Sequence, residues 1–341
     1  MNRKRLLSLT FILTATLLFA SCTLPRVRVV EATSTPEPAT PTIESLPLQP
    51  TAELGLVENP LILTLPPSAN TAPEQIDAAK LLAEQLTRHT GYAVVTAIPD
   101  SYASLIDAFS KGNAHIAVLS PYAYVLARQE NLGEAVFASL KNGGGKYGAQ
   151  FLAHRDAGFT SYLDIASGTN NAEADVALAQ FTGKKPCWTD ETSASGYVVP
   201  AGILAKYEVP TKPAAFLGGH PPVVRALYSG GICDFGATYI DARKSPSLED
   251  QFPDLMEQVI VIWRIPPIIP HEVLVFSTAM PPSMRAALVN SIPAIMQTTA
   301  GKEAFQTVYQ IEELQPVTDG YYNDFRTYVE ASGIDIEALL R

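Results

Sequence analysis

The stretch that decides the fold begins with LILTLPP at residues 61–67, an apolar run that two prolines end. A short apolar run bounded in this way predicts a buried strand. The apolar residues that follow recur with the spacing of one helix face, at Ile76, Ala79, Ala83 and Leu86. The alternation continues with strands at 92–98 and 115–119 and helices at 102–111 and 121–129. Alternating strands and helices are typical of a parallel sheet flanked by helices. This part of the chain is therefore predicted to form an α/β lobe.

The same pattern restarts further along the chain, which predicts a second α/β lobe. Its elements are expected at 186–189, 195–206, 221–229 and 232–239. Extended runs around 150–154 and 259–263 bracket this block and are interpreted as two strands that cross between the lobes. The predicted fold class is therefore α/β, with two lobes around a cleft, and such clefts commonly bind ligands.

The predicted domain limits follow from these crossings. The first lobe is expected to comprise residues 56–153 and 265–341, and the second lobe to be inserted as residues 154–264. The chain from Pro281 onward is mainly helical in pattern and is expected to pack on one of the sheets. No role is assigned to residues 169–181.

Composition excludes several classes of protein. With 341 residues the chain exceeds what one core usually holds, and 47% hydrophobic and 17% charged residues exclude a disordered chain or a coiled coil. The formal net charge of −10 argues against nucleic acid as a partner, because binding phosphates requires clustered Lys and Arg. Five scattered His and three Cys without C-x-x-C spacing predict no metal site, and no cofactor is expected. We expect a monomer.

The N-terminus has the layout of an export signal. Basic residues at 3–5 precede an apolar run at 6–20 that is too short to cross a bilayer comfortably. Small residues just before Cys22 resemble the lipobox of bacterial lipoproteins, which predicts a signal peptide at 1–21 and lipidation of Cys22. The alternative is ordinary secretion with Cys22 unmodified. The predicted location is extracytoplasmic, with a lipid anchor in the cell membrane.

A tether is predicted between the lipid anchor and the folded part. Residues 31–54 are rich in Thr, Pro, Ser and Glu and have few large apolar residues, so they cannot form a core. We therefore interpret residues 22–55 as an extended tether.

The cysteine count leads to a further expectation. If Cys22 is lipidated, Cys187 and Cys233 remain, each on a predicted strand of the second lobe. The predicted compartment is oxidising, so we expect these two residues to form a disulfide.

Two predicted helix starts carry candidate binding chemistry. Residues 192–197, TSASGY, follow a strand and open a helix, where hydroxyls, free N–H groups and the helix dipole favour an anion. Plain N-capping by serine is the alternative. At the second start, His220 precedes two prolines and is expected to cap the helix. The prolines lack N–H groups, so an anion there would be met by the imidazole, and a His packed against a loop is the alternative.

These residues belong to a wider set of motifs that resembles the phosphate/phosphite/phosphonate-binding proteins of ABC transporters, the periplasmic phosphonate-binding family. The resemblance runs from about residue 60 to about residue 276 and rests on the order and spacing of the motifs together. They are SYA at 101–103, LSPYA at 119–123, GKY at 145–147, SASGYVVP at 193–200, GGH at 218–220 and IIPHE at 268–272.

The resemblance implies a type II periplasmic-binding-protein fold whose lobes close over a small phosphorus oxyanion. It also implies roles for residues of this chain. Ser193, Ala194, Ser195 and His220 would hold the phosphoryl oxygens, Tyr102 and Tyr147 would line the pocket, and Asp241 and Glu272 would contact the remainder of the ligand.

Two points qualify the resemblance. The family has Thr where this chain has Ala194, which removes a hydroxyl donor worth about 1.5–3 kcal/mol when it bonds a charged group. The two carboxylates would repel a phosphoryl group unless the ligand also carries an amine, which would suit an aminoalkylphosphonate. The alternative is that Asp241 and Glu272 pair with Arg243 or Arg264.

The leading hypothesis is a membrane-anchored solute-binding lipoprotein that captures phosphonate, phosphite or phosphate and delivers it to an ABC transporter permease. A ligand-sensing receptor for a signalling partner would share the fold and the ligand and stays open. An enzyme is disfavoured because Ser195 lacks the Gly two residues earlier that a nucleophile elbow has, so no catalytic residue is expected.

Overall fold

The computed structural model describes residues 52–340. The predicted signal peptide, Cys22 and most of the predicted tether lie outside the described residues. The last tether residues are described. Leu54 packs against a buried cluster that includes Leu61 and Leu82, and the Gly55 N–H donates to the Asn59 carbonyl at 2.8 Å. Within residues 52–340, none of the helices has the length and apolarity that a membrane crossing requires.

The first lobe is built on a mixed sheet. In the described part of the chain this sheet comprises β1 (Leu61–Thr64), β2 (Val94–Ala97), β3 (Ile116–Leu119), β4 (Gly133–Leu140), β12 (Val273–Ser277) and β13 (Glu313–Pro316). The strand order is β13-β4-β12-β3-β1-β2. Strands β1, β2 and β3 are parallel, whereas β12 runs antiparallel to both β3 and β4.

Helices cover both faces of the first sheet. They are α1 (Pro73–Thr90), α2 (Tyr102–Ser110), α3 (Pro121–Gln129), α9 (Pro282–Met296) and α10 (Thr299–Tyr309). On one face, Leu82 of α1, Leu288 of α9 and Phe305 of α10 pack in one buried cluster. The apolar spacing of α1 places its buried residues on that side, so the C-terminal helices α9 and α10 complete the first lobe.

The second lobe is built on another mixed sheet. Its described strands are β5 (Lys146–His154), β8 (Pro186–Trp188), β9 (Ala215–Phe216), β10 (Phe235–Tyr239) and β11 (Val259–Pro270). The strand order is β11-β5-β10-β8-β9. The helices are α4 (Ala174–Leu178), α5 (Val199–Lys206), α6 (His220–Ser229), α7 (Pro246–Glu249) and α8 (Leu255–Gln258). A small ribbon pairs β6 (Leu163–Asp164) with β7 (Thr169–Asn170).

The chain changes sheets at two short segments. Strands β5 and β11 pair with each other inside the second sheet, with Ile260 opposite Ala153. The chain therefore passes between the sheets at residues 141–145 and 271–272, between β4 and β5 and between β11 and β12. The crossings had been expected inside the extended runs at 150–154 and 259–263. By sheet membership the second lobe draws its strands from residues 146–270, a wider range than 154–264.

The segment without a predicted role covers an edge of the second sheet. Strand β11 is an edge strand, and Asn170 brackets Arg264 with two hydrogen bonds to its backbone, at 2.7 and 2.9 Å. The indole N–H of Trp263 donates to the Ala172 carbonyl at 3.0 Å. These bonds satisfy backbone groups that an open edge would expose, so the segment protects the edge from pairing with other chains.

A C-terminal helix joins the two lobes. Helix α11 (Asn323–Ala331), which is followed by α12 (Ile336–Leu339), packs on α5 of the second lobe and on α3 of the first. The backbone of α11 passes so close to Gly202 that a Cβ there would overlap the Tyr328 carbonyl. On the other side, the ring of Phe325 lies 5.4 Å from the ring of Tyr122. The buried cluster is therefore continuous from one lobe to the other through α11, which we call the bridging helix.

The predicted disulfide is confirmed. Cys187 in β8 is bonded to Cys233, which lies just before β10, with a sequence separation of 46. In the chain-entropy model a loop of this length stabilises the folded state by about 4 kcal/mol. The bond ties together two neighbouring parallel strands of the second sheet.

Candidate functional site

A cavity of about 620 Å³ lies in the cleft between the two sheets. Its walls come from both lobes and combine polar, aromatic and charged side chains. The lining residues are Ser120, Pro121, Tyr122, Lys141, Tyr147, Thr192, Ala194, Ser195, His220, Tyr239, Ile240, Pro270, His271 and Glu272. The cavity is larger than a tetrahedral oxyanion requires, so the walls have room to approach each other around a ligand.

The serine-rich turn forms part of the second-lobe wall. A wide helical turn, Ala194–Val198, leads directly into α5. Ser193 caps this turn by accepting the Gly196 N–H at 3.0 Å, and the Val198 N–H is bonded to the Ser193 carbonyl. The N–H groups of Ala194 and Ser195 stand in this first turn, so they have no acceptor within the helix. The wall therefore presents backbone donors where the helix dipole is positive.

Glycine at 196 lets this turn lie against the preceding strand. A Cβ at Gly196 would overlap the side chain of Thr189, which follows β8 and is fully buried. The neighbouring Ser195 is only 4% exposed, and its side chain lies close enough to the Tyr147 phenol of β5 to lower the pKa of that phenol. Contacts on both sides thus fix the position of Ser195.

His220 stands at the start of α6, on the same wall. Gly219 rather than His220 occupies the N-cap position, which corrects the expectation that His220 caps the helix. The His220 Nδ1 accepts the backbone N–H of Tyr239 at 3.3 Å, and the two rings lie 4.6 Å apart. Burial lowers the pKa of His220 below its ordinary value, although the Asp190 carboxylate acts in the opposite direction. A neutral imidazole that accepts at Nδ1 carries its proton on Nε2, so His220 is a donor there.

The first-lobe wall begins at the start of α3. The hydroxyl of Tyr122 is buried and has no hydrogen-bond partner among the described residues. Burial raises the pKa of Tyr122 far above its ordinary value, so the hydroxyl keeps its proton. A buried hydroxyl without a partner costs free energy, and here it borders the cleft, where a bound ligand could supply an acceptor.

Tyr102 lies behind this wall. Its phenol lies beside Ser120, which acts to lower the pKa of that phenol. The Ser120 hydroxyl accepts the Ala123 N–H at 3.3 Å and caps α3. Burial raises the pKa of Tyr102, with the Glu272 carboxylate acting in the same direction. Tyr102 therefore supports the position of Ser120 and does not itself line the cavity.

Two aromatic rings stack between the lobes. The Tyr147 ring of the second lobe lies 5.1 Å from the imidazole of His271, with 18° between the planes. Burial raises the pKa of Tyr147, an effect that the neighbouring Ser195 opposes. Burial and then the Lys141 charge lower the pKa of His271, so the cleft holds a second neutral imidazole.

Both predicted carboxylates are already paired with cations. The Asp241 carboxylate accepts from Nε and Nη2 of Arg243 at 2.9 and 2.6 Å, and from the Gln150 amide at 2.8 Å. Glu272 accepts from the Lys141 ammonium at 2.9 Å. The alternative of pairing with arginine thus holds for Asp241, whereas Glu272 pairs with Lys141. Arg264 instead donates to the Gly168 carbonyl.

The structure brings together most, but not all, of the residues that the sequence selected. Tyr147, Ala194, Ser195, His220 and Glu272 line one cavity. The other three lie near it with their polar atoms engaged elsewhere: Tyr102 with Ser120, Ser193 with the Gly196 N–H, and Asp241 with Arg243.

Sequence reasoning missed three prominent lining residues. Tyr122 and His271 stand inside motifs that carried the resemblance, LSPYA and IIPHE, but received no role. Lys141 had no local signal, because it lies in a turn whose position beside Glu272 depends on the pairing of β4 with β12.

Other sites are less suited to an anion. Within residues 52–340, no group of three or more His, Cys, Asp or Glu side chains could hold a metal ion. A second cavity of about 600 Å³ lies on the second lobe and is lined mainly by apolar groups such as Trp188 and Leu204. Its charged lining residues are Glu208 and Lys212, and no first-lobe strand or helix contributes to it.

The cleft lies between two α/β lobes and is lined by hydroxyl, imidazole and ammonium groups. This arrangement is typical of the two-lobed solute-binding proteins. Residues 67–322 match the model of the family described as "ABC transporter, phosphonate, periplasmic substrate-binding protein". The chain belongs to this family. The family and the two-lobe α/β fold predicted from the sequence are thus confirmed.

Individual relatives share only low sequence identity with this chain. The chain is 27% identical over 198 residues to the phosphate-import protein PhnD of Mycolicibacterium smegmatis, covering 54% of this chain and 56% of that protein. Among solved structures, XAC2383 from Xanthomonas citri bound to chloride has a TM-score of 0.54 at 16% identity, over 82% of this chain and 98% of that one. Its ATP-bound form has a TM-score of 0.53 at 14% identity, over 82% and 97% of the two chains. At these identities the likeness shows the fold alone.

Proposed function

We propose that this chain is an extracytoplasmic solute-binding lipoprotein of an ABC transporter, which captures a small phosphorus oxyanion and delivers it to the permease. The oxyanion would be phosphonate, phosphite or phosphate, and the protein would act as a monomer held to the membrane through a lipid on Cys22. The two lobes would close over the ligand.

The observation that carries this proposal is the cleft with donors on both of its walls. Ser195, the first-turn N–H groups and His220 stand on the second-lobe wall, and Tyr122 and Lys141 stand on the first-lobe wall. A ligand that needs both sets of donors is fully bound only when the walls approach, so binding shifts the population toward the closed form.

Family membership and one relative support the choice of ligand. The family is named for phosphonate, and the M. smegmatis relative is named for phosphate import. Both ligands are tetrahedral phosphorus oxyanions whose oxygens accept hydrogen bonds, which is the chemistry that the cleft donors fit.

Binding is favoured over catalysis by the partner of Ser195. A nucleophilic serine needs a base to take its proton, whereas the Ser195 hydroxyl lies beside the phenol of Tyr147. Burial raises the pKa of that phenol, so it stays protonated and is a poor base. A sensor that passes its closed form to a signalling partner would use the same contacts.

The test is calorimetric titration of the full chain with phosphate, phosphite and methylphosphonate, with sulfate as a control anion. Ser195→Ala should weaken the tightest phosphorus ligand by about 10-fold or more, the value of one hydrogen bond to a charged group. Ser283→Ala is the matched control. It removes an exposed hydroxyl on α9 that does not line the cavity, so affinity should not change. Absence of binding to all three phosphorus ligands would refute the proposal.

A further inference from the structure

The two carboxylates nearest the cleft differ in how far a ligand could reach them. The Asp241 and Arg243 side chains are both 8% exposed, and Arg243 also donates to the Val259 carbonyl at 2.7 Å. The Gln150 amide and the Arg243 backbone N–H also donate to the Asp241 carboxylate. Groups of the protein thus already occupy the acceptor oxygens of Asp241. Asp241 is therefore closed to a ligand.

Glu272, in contrast, lines the cavity and is reachable. Its side chain is 36% exposed and that of Lys141 is 39% exposed, with 2.9 Å between the ammonium and the carboxylate. Burial raises the pKa of Glu272, but the hydrogen bond and charge of Lys141 outweigh it, so the pKa lies below its usual range. Glu272 is thus a charged carboxylate that already has a cationic partner.

The backbone holds this pair together. The Ser139 N–H donates to the Glu272 carbonyl at 2.9 Å, and Lys141 stands two residues further along. Lys141 is fixed by a tight turn in which its N–H and carbonyl bond Gly144, at 2.9 and 3.0 Å. The backbone of Lys141 is therefore held near Glu272, and its ammonium can reach the carboxylate.

We propose that Lys141 determines ligand specificity. Its ammonium pairs with the Glu272 carboxylate, which a ligand amine would need. The cleft therefore selects phosphorus oxyanions without a cationic substituent. This inference rests on the proposed function and names the ligand class of the same site. It replaces the expectation of an aminoalkylphosphonate ligand, which rested on the acidic residues Asp241 and Glu272 alone.

The charges of the cleft agree with this selection. Lys141 and Glu272 cancel, and the lining imidazoles of His220 and His271 are neutral near pH 7 because burial lowers their pKa values. An amine on the ligand would meet the Lys141 ammonium next to Glu272 and be repelled, whereas the same ammonium attracts an oxyanion. The nearby Asp190 lies outside the lining set, and its Oδ1 accepts two hydrogen bonds from Thr192.

The test compares methylphosphonate with 2-aminoethylphosphonate by calorimetry on the full chain. The wild type should bind methylphosphonate about 10-fold or more tighter, since a charge-assisted hydrogen bond is worth at least that factor. Lys141→Met removes the charge but keeps most of the stem, so Glu272 becomes available and the preference should shift toward the aminated ligand by about 10-fold or more. Adding Glu272→Gln to Lys141→Met should cancel the shift.

The control is Lys111→Met, which removes a lysine that pairs with Asp107 on α2 and is 63% exposed. It should leave the preference unchanged. Thermal unfolding checks that each variant is folded. The inference is overturned if the wild type binds both ligands equally or prefers the aminated one, or if Lys141→Met does not shift the preference. Failure of every phosphorus ligand to bind would instead overturn the proposed function, and this inference with it.

Discussion

The Nδ1 atom of His220 accepts the backbone N–H of Tyr239 at 3.3 Å, which ties the start of α6 to the end of β10. This bond selects the tautomer in which Nε2 carries the proton. His220→Ala should therefore weaken oxyanion binding by about 10- to 100-fold, the range for losing one hydrogen bond to a charged group. Calorimetric titration with phosphate and methylphosphonate measures the loss.

The exposed His89 provides a matched control for this substitution. His89→Ala should leave the affinity unchanged. Equal affinity of His220→Ala and the wild type for every phosphorus ligand would show that the imidazole does not contact the ligand.

The unpartnered hydroxyl of Tyr122 predicts opposite effects on stability and affinity. Tyr122→Phe removes a buried hydroxyl that has no partner among residues 52–340, so the free protein should be as stable as the wild type or slightly more stable. If the hydroxyl donates to the ligand, the same change should lower affinity by about 10-fold. Urea unfolding and calorimetry measure the two quantities separately.

Tyr124→Phe is the contrasting variant on the same helix. The Tyr124 hydroxyl donates to Asp319 at 2.8 Å, so this substitution should lower stability without changing affinity. A loss of stability in Tyr122→Phe comparable to that in Tyr124→Phe would contradict the assignment.

The buried pair of Asp241 and Arg243 predicts a large effect on stability. Arg243→Met would leave the Asp241 carboxylate buried without its cation, and breaking such a pair typically costs about 3–5 kcal/mol. The free energy of unfolding in urea should fall by an amount of this order. Arg155→Met, at an exposed position, should change it by less than about 0.5 kcal/mol. A loss below about 1 kcal/mol in Arg243→Met would mean that Asp241 finds another partner or protonates.

Buried histidines predict that stability falls in mild acid. His115 is 4% exposed, its Nδ1 accepts the Ile62 N–H at 3.1 Å, and burial lowers its pKa below the ordinary value of 6.5. Below pH 6.5 the unfolded chain binds a proton that the folded chain does not, so stability is full above this pH and is lost as pH falls toward the folded-state pKa. The limiting slope for one histidine is about 1.4 kcal/mol per pH unit.

Urea unfolding at several values of pH between 5 and 8 measures this dependence. His115→Gln should reduce the slope below pH 6.5, because Gln can accept the same N–H but does not titrate in this range. His220 and His271 also have lowered pKa values, so part of the slope should remain. An unchanged slope in His115→Gln would contradict the prediction.

Local patterns predicted the elements of the fold better than their pairing. Helix α3 begins and ends at the predicted residues, 121 and 129, because Pro121 favours a first turn and Ser120 caps it. Alternation of strands and helices suggested parallel sheets, yet β12 and β5 pair antiparallel with their neighbours. Strand direction depends on where the chain crosses between lobes, and that is decided by contacts between distant segments.

Local patterns predicted the part of the site that stands at helix starts, and the family resemblance added Tyr147 and Glu272. Ser195 and His220 stand in or beside such starts and line the cleft. Whether a carboxylate is free or paired cannot be read from its neighbours in sequence. Lys141 lies beside Glu272 only because β4 pairs with β12. For Asp241, the sequence offered Arg243 and Arg264 as possible partners, and local patterns could not distinguish them.

The bridging helix α11 has a consequence for how the protein unfolds. It lies against α5 at Gly202 and against α3 at Tyr122, so a single apolar cluster spans both halves of the molecule. Neither half can melt without exposing apolar surface on the other. Heating should therefore produce one cooperative transition rather than two, and the second lobe, expressed by itself, should expose the face of α5 that α11 covers and aggregate.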